Sequence, residues 1–62
     1  MPLVTVQMWE GRTEKQKKEI AKAITEAMVE KAGTVPEAVQ IVMYDVAKSD
    51  WAIGGELCSD KY

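Results

Sequence analysis

No histidine occurs in this chain, and cysteine occurs once, as Cys58. Without histidine the usual zinc sets and the Ser-His or Cys-His pairs of nucleophilic enzymes are excluded, and one thiol cannot close an intrachain disulfide. Phenylalanine is missing as well, and arginine appears once, as Arg12. The lysines are scattered and the net charge is -2, so there is no basic stripe to neutralise a phosphate backbone, and nucleic acid is not an expected partner. No apolar run approaches the roughly 20 residues that cross a bilayer, and the N-terminus lacks the charged and apolar regions of a signal peptide. With a free thiol, this points to the cytoplasm and away from membranes.

What remains is 62 residues with 47% apolar composition. Residues 1–62 are expected to form one domain, and so short a chain buries only about 60% of the surface that its unfolded form exposes. Small domains make up the deficit with disulfides, metals or association. The first two being excluded, the apolar surplus predicts a homo-oligomer.

Leu3 to Met8 is rich in β-branched residues and partly alternating, with Val4, Val6 and Met8 on one face, which predicts a strand. Glu10-Gly11-Arg12 breaks it. Thr13 followed three residues later by Gln16 is a capping box, and Ile20, Ala23, Ile24, Ala27 and Met28 repeat at three and four, so a helix is predicted over Thr13 to Ala32 with Gly33 closing it. Glu14 and Lys18 form a favourable pair on it. After a turn around Pro36, Val39 to Val46 predicts a second strand. It is apolar on both faces, Val39, Ile41 and Met43 on one and Val42 and Tyr44 on the other, as for a strand covered twice. The helix supplies one cover and another subunit the second, because the tail from Lys48 to Tyr62 is too short to cover a sheet. Strand, helix, strand makes a βαβ unit with parallel strands, and Gly54-Gly55 predicts a small C-terminal hairpin.

Chemistry can enter at Pro2. Removal of Met1 would turn an amide nitrogen without a proton into a free secondary amine, of the α-amino class that titrates at about 7.7–8.0. A base is most effective near the working pH. The alternative is a proline that merely stiffens the start of a strand. Arg12 presents a planar fork that grips a carboxylate bidentately and keeps its charge. Its alternative is a surface cation ahead of the helix, a slightly unfavourable place for positive charge.

Pro2 after Met1, the β-rich run, Glu10-Gly11-Arg12-Thr13-Glu14, Gln16-Lys17 and Ile53-Gly54-Gly55-Glu56-Leu57 together resemble the 4-oxalocrotonate tautomerase family over almost the whole chain. The resemblance implies an α+β fold whose βαβ protomers dimerise into a four-stranded sheet, three dimers usually forming a hexamer. It further implies a cofactor-independent isomerase of aromatic catabolism that uses no metal. Its substrate would be a small enol or dienol carboxylate, a 2-hydroxydienoate such as 2-hydroxymuconate. In that pattern Pro2 is the general base, and Arg12, from a neighbouring subunit, binds the remote carboxylate and draws electron density toward it. Trp51 matches a residue that is commonly Phe and forms an apolar wall near the amine; hydrophobic anchoring between subunits is its alternative. Trp9 is open between pocket lining and interface packing.

The sequence departs from the pattern at Gln40, where well-known members carry a second arginine. A neutral amide holds a carboxylate less well, since hydrogen bonds to charged groups contribute roughly 1.5–3 kcal/mol against about 1 for neutral ones. Four explanations stand: a substrate with one carboxylate, a lysine supplying the charge, an arginine from a different chain, or a general enol-keto tautomerase. The other functional class left open is a non-catalytic or hetero-oligomeric subunit of the same fold. Glu10 and Asp45 are the nearest acids for activating water, Glu10 more naturally packing or capping a turn and Asp45 being expected in solvent. Cys58, with no histidine, is expected to be a bland thiol.

Overall fold

In a computed structural model describing residues 1–62, Leu3–Trp9 forms strand β1, Glu14–Ala32 helix α1 and Gln40–Val46 strand β2. A hairpin of β3 (Ala52–Ile53) and β4 (Glu56–Leu57) and a single helical turn, α2 (Cys58–Lys61), complete the order. β1 and β2 run parallel, in register from Leu3 opposite Gln40 to Trp9 opposite Val46. β3 and β4 pair antiparallel around Gly54 and Gly55, whose φ values of 62° and 85° suit only glycine comfortably.

Local chemistry accounts for the helix limits. The Thr13 hydroxyl accepts from the Gln16 N–H at 3.1 Å while Gln16 Oε1 accepts from the Thr13 N–H at 2.9 Å. Gly33, left-handed at φ 69°, ends α1, and Glu14 lies 3.8 Å from Lys18. The expected turn around Pro36 is a short 3-10 helix, Pro36–Ala38, and a second one, Lys48–Asp50, leads to the hairpin.

The helix presents a rotated version of the expected stripe. Ile20, Ile24 and Met28 are half-buried as predicted, but Ala21, Thr25 and Val29 share that face, whereas Ala23 and Ala27 are exposed. Spacing alone admits either flank of the isoleucines, so the centre of the stripe is legible and the flank that turns inward is not. Val4, Val6 and Met8 of β1 and Ile41 and Met43 of β2 are half-buried on the same side.

Alternation places Leu3, Thr5 and Gln7 with Gln40, Val42 and Tyr44 on the other side of the sheet. That side is bare over most of its length: Leu3 is 61% exposed, Val42 40% and Tyr44 51%. Only at Trp9 does the C-terminal tail fold across it. Cys58 is the one fully buried residue in the chain. The radius of gyration is 14.5 Å, against about 11 Å for a compact chain of this length. The protomer is a flat slab, and each of its two long strands keeps an unpaired edge.

Candidate active site

The residues singled out by the sequence gather at opposite ends of β1 and β2. Pro2 and Gln40 share the end where the strands begin. The Gln40 N–H donates to the Pro2 carbonyl at 2.9 Å, and the Gln40 amide Nε2 lies 3.2 Å from Met1 Sδ. Pro2 is half-buried, Met1 exposed. Gln40 thus shares the strand end where processing would expose the Pro2 nitrogen, and its side chain brings no charge there.

Arg12, Trp9 and Trp51 occupy the other end. Gly11, at φ 120°, turns the chain so that Arg12 Nη1 donates to the carbonyl of Trp9 at 3.0 Å. Beside it, Arg12, Gln16, Glu19, Ile20 and Ala23 line an open groove of about 360 Å³. The exposed flank of α1 thus contributes Ala23 to the floor beneath the guanidinium. Trp51 meets Trp9 edge to face, with ring centres 6.1 Å apart and planes at 77°, a favoured aromatic arrangement.

Two further residues belong to this cluster and carry no signal in a local reading. Tyr62 packs on Trp9 at 5.7 Å between ring centres. Lys48 places Nζ 4.8 Å from the centre of the Trp9 ring and donates to the main-chain oxygen of Tyr62 at 3.2 Å. The spacing Lys48, turn, Trp51 hints at proximity; only closure of the tail brings both onto Trp9. The indole Nε1 of Trp9 is buried with no partner in the chain.

The acids play other parts. Asp45, expected in solvent, is bonded to Lys17 across the helix-sheet seam, with the side chains 40% and 30% exposed; a carboxylate held by an ammonium is a poor activator of water. Glu10 is exposed, and its backbone N–H extends the ladder to Val46 O; its side chain caps nothing. Cys58 lies buried under the hairpin, its N–H bonded to Trp51 O at 2.7 Å, out of reach of any substrate.

Seven residue steps separate Pro2 from Trp9, about 23 Å at roughly 3.3 Å per residue of strand. One small substrate cannot touch both ends of one chain. An amine and a guanidinium can meet around it only where the N-terminal end of one copy approaches the Arg12 end of another, as the unpaired edges and bare sheet face permit.

Comparison with known proteins bears on the whole framework. The family model described as "Tautomerase enzyme" matches residues 2–61. A probable tautomerase of Bacillus cereus is 44% identical over 61 residues, 98% of this chain and all of that protein. The 2-hydroxymuconate tautomerase of Bacillus subtilis is 38% identical over 60 residues, 97% of both chains. Among solved structures, a heterohexamer 4-oxalocrotonate tautomerase from Chloroflexus aurantiacus superposes with a TM-score of 0.93 at 27% identity, covering each chain completely. Matches that run from Pro2 through the double glycine, on a shared βαβ framework, establish that the chain belongs to the tautomerase family and is an isomerase of the 4-oxalocrotonate tautomerase type.

Proposed function

We propose that the protein, freed of Met1, catalyses enol-keto tautomerisation of a 2-hydroxydienoate such as 2-hydroxymuconate or a related enol acid, with no cofactor. Pro2 acts as the base. Its amine takes the proton of the 2-hydroxyl, negative charge spreads along the conjugated chain toward the remote carboxylate, and the prolinium returns the proton to carbon. Arg12 of another copy grips that carboxylate and stabilises the charge as it develops. Trp51 and Trp9 wall the site, and Gln40 offers the Pro2 end a neutral hydrogen-bonding amide.

The observation that carries this is the separation of the two half-sites along one strand pair in a chain with open strand edges. A base at one end and a carboxylate clamp at the other become one site on association. Two-stranded sheets are marginal alone, and pairing across the free edges would give the four-stranded dimer sheet. The proposal extends to a homohexamer built as a trimer of such dimers, to residues 1–62 acting as one domain, and to a cytoplasmic role in aromatic catabolism. A second possibility, a subunit completed by a different chain, is favoured by one feature, the missing charge at Gln40.

Complementation tests the shared site. Pro2→Ala and Arg12→Ala chains, each impaired alone, are expected to exceed the mean activity of the two parents when refolded together, because some mixed interfaces carry a native Pro2 opposite a native Arg12. A mixture no more active than that mean refutes a site shared between copies. Intact mass is measured in parallel: processed homogeneous protein that turns over a dienol rules out the need for a second chain, and full activity with Met1 retained rules out Pro2 as base.

A further inference from the structure

We propose that Lys17 and Asp45 are positioning residues for Arg12: their ion pair pins the first turn of α1 to β2 and so sets where the guanidinium meets a carboxylate. This rests on the reading of Arg12 as the carboxylate clamp of a tautomerase site.

The pair is unlike the other ion pairs of the chain. Glu14 with Lys18, Glu30 with Lys31 and Glu56 with Lys61 join near neighbours in sequence and stand largely in solvent, where such contacts contribute little. Lys17 and Asp45 are 28 residues apart, are the least exposed of the four pairs, and make the one side-chain hydrogen bond between α1 and the strands. Asp45 also ends the row begun by Ile41 and Met43 on the helix side of the sheet. An apolar residue there would hold helix to sheet at least as well, since a partly desolvated pair repays little beyond its own cost. What the charged pair adds is direction: one nitrogen and one oxygen fix a point of contact that apolar packing leaves free to slide.

That point bears on Arg12, which sits in the link from Glu10 to Thr13 between β1 and α1, with Gly11 at φ 120° as its pivot. Upstream, the Glu10 N–H donates to the carbonyl of Val46. Downstream, the Thr13 cap and the Lys17 N–H, which donates to the Thr13 carbonyl, make the first turn of α1 one piece, and the Lys17 ammonium ties that piece to Asp45. Asp45 and Val46 are consecutive residues of β2, so one stretch of strand holds both ends of the Arg12 link. The Arg12 side chain is itself exposed and has a single hydrogen bond in the chain, to the carbonyl of Trp9. Its placement is therefore set by the backbone that carries it. A displacement of about 1 Å at a group that orients substrate can cost about a hundredfold in rate.

Kinetics on one dienol presented as the free carboxylate and as its methyl ester read this directly, since loss of folded or assembled enzyme lowers both alike. Asp45→Asn, nearly the same shape without the charge, is expected to lower kcat/KM for the acid about tenfold and to leave the ester little changed. Lys17→Met, which breaks the pair from the other side, should do the same. In an Arg12→Ala background the added loss from Asp45→Asn should shrink to within about twofold, because residues that act through one group are not additive. Equal losses on acid and ester, an unchanged acid, or the same loss persisting without Arg12 would each overturn the proposal. Arg12→Ala alone distinguishes the two ways of failing. If it is selective for the acid while Asp45→Asn is not, only the positioning role falls; if it spares the acid, the clamp itself falls.

Discussion

The two ends of the parallel strand pair differ in kind. Where the strands start, Pro2 and Gln40 are joined by one backbone hydrogen bond, with an exposed leucine alongside and no charged partner in the chain. Where they finish, Arg12 and Lys48 are both referenced to Trp9, and Trp9 is braced by Trp51 and Tyr62. One end is open and has no charged side chain beside Pro2 and Gln40, the other is aromatic and carries two cationic side chains. In the proposed site this division would have a physical advantage: the Pro2 amine of an isolated chain would have no side-chain cation at hand and would gain one only when a second copy arrived, so that assembly would bring together base and clamp in one event.

The strongest way to break the comparison is at the neutral end. Pro2→Ala is expected to lower kcat by about 10²–10⁴, the usual worth of a general base, while assembly measured by sedimentation stays intact; turnover that survives would place the base elsewhere. At the opposite end, Arg12→Ala removes a charged hydrogen bond of roughly 1.5–3 kcal/mol, so kcat/KM for a carboxylated dienol should fall about ten- to a hundredfold. The methyl ester of the same dienol should lose much less.

Making the two ends alike is subtler. Gln40→Arg adds a cation beside Pro2 and should improve a dicarboxylate over a monocarboxylate by about tenfold in kcat/KM. Equal gains on both would mean that Gln40 does not set this preference. Smallest is Thr13→Ala, which loosens the helix start directly after Arg12 and costs about 1 kcal/mol. It should lower the melting temperature by about 4–8 °C with little change in turnover, and a large kinetic loss would show that the cap also aims the guanidinium.

Legibility in the sequence followed the range of the interaction. The Thr13 and Gln16 cap, the left-handed Gly33 and the Gly54-Gly55 hairpin depend on neighbours within a few residues, and each was readable. Strand faces were readable too, because alternation is geometric. The helix stripe was only half readable: Ala23 and Ala27 fit the period, yet Ala21, Thr25 and Val29 are the half-buried ones. Lys17 with Asp45, and Lys48 and Tyr62 with Trp9, were not readable, since each joins elements whose relative placement no local pattern encodes. The burial of Cys58 is of the same kind: a small side chain in a glycine-rich tail becomes the most enclosed residue only after the tail has folded over.

That solitary enclosed thiol has a consequence for handling and for biology. In the proposed assembly a protomer with almost nothing shut away from water would derive its rigidity from its neighbours, so folding should follow mass action. Progressive dilution should therefore erode specific activity and heat resistance in step, and the number of chains present, more than the strength of any one of them, would decide how much catalyst exists.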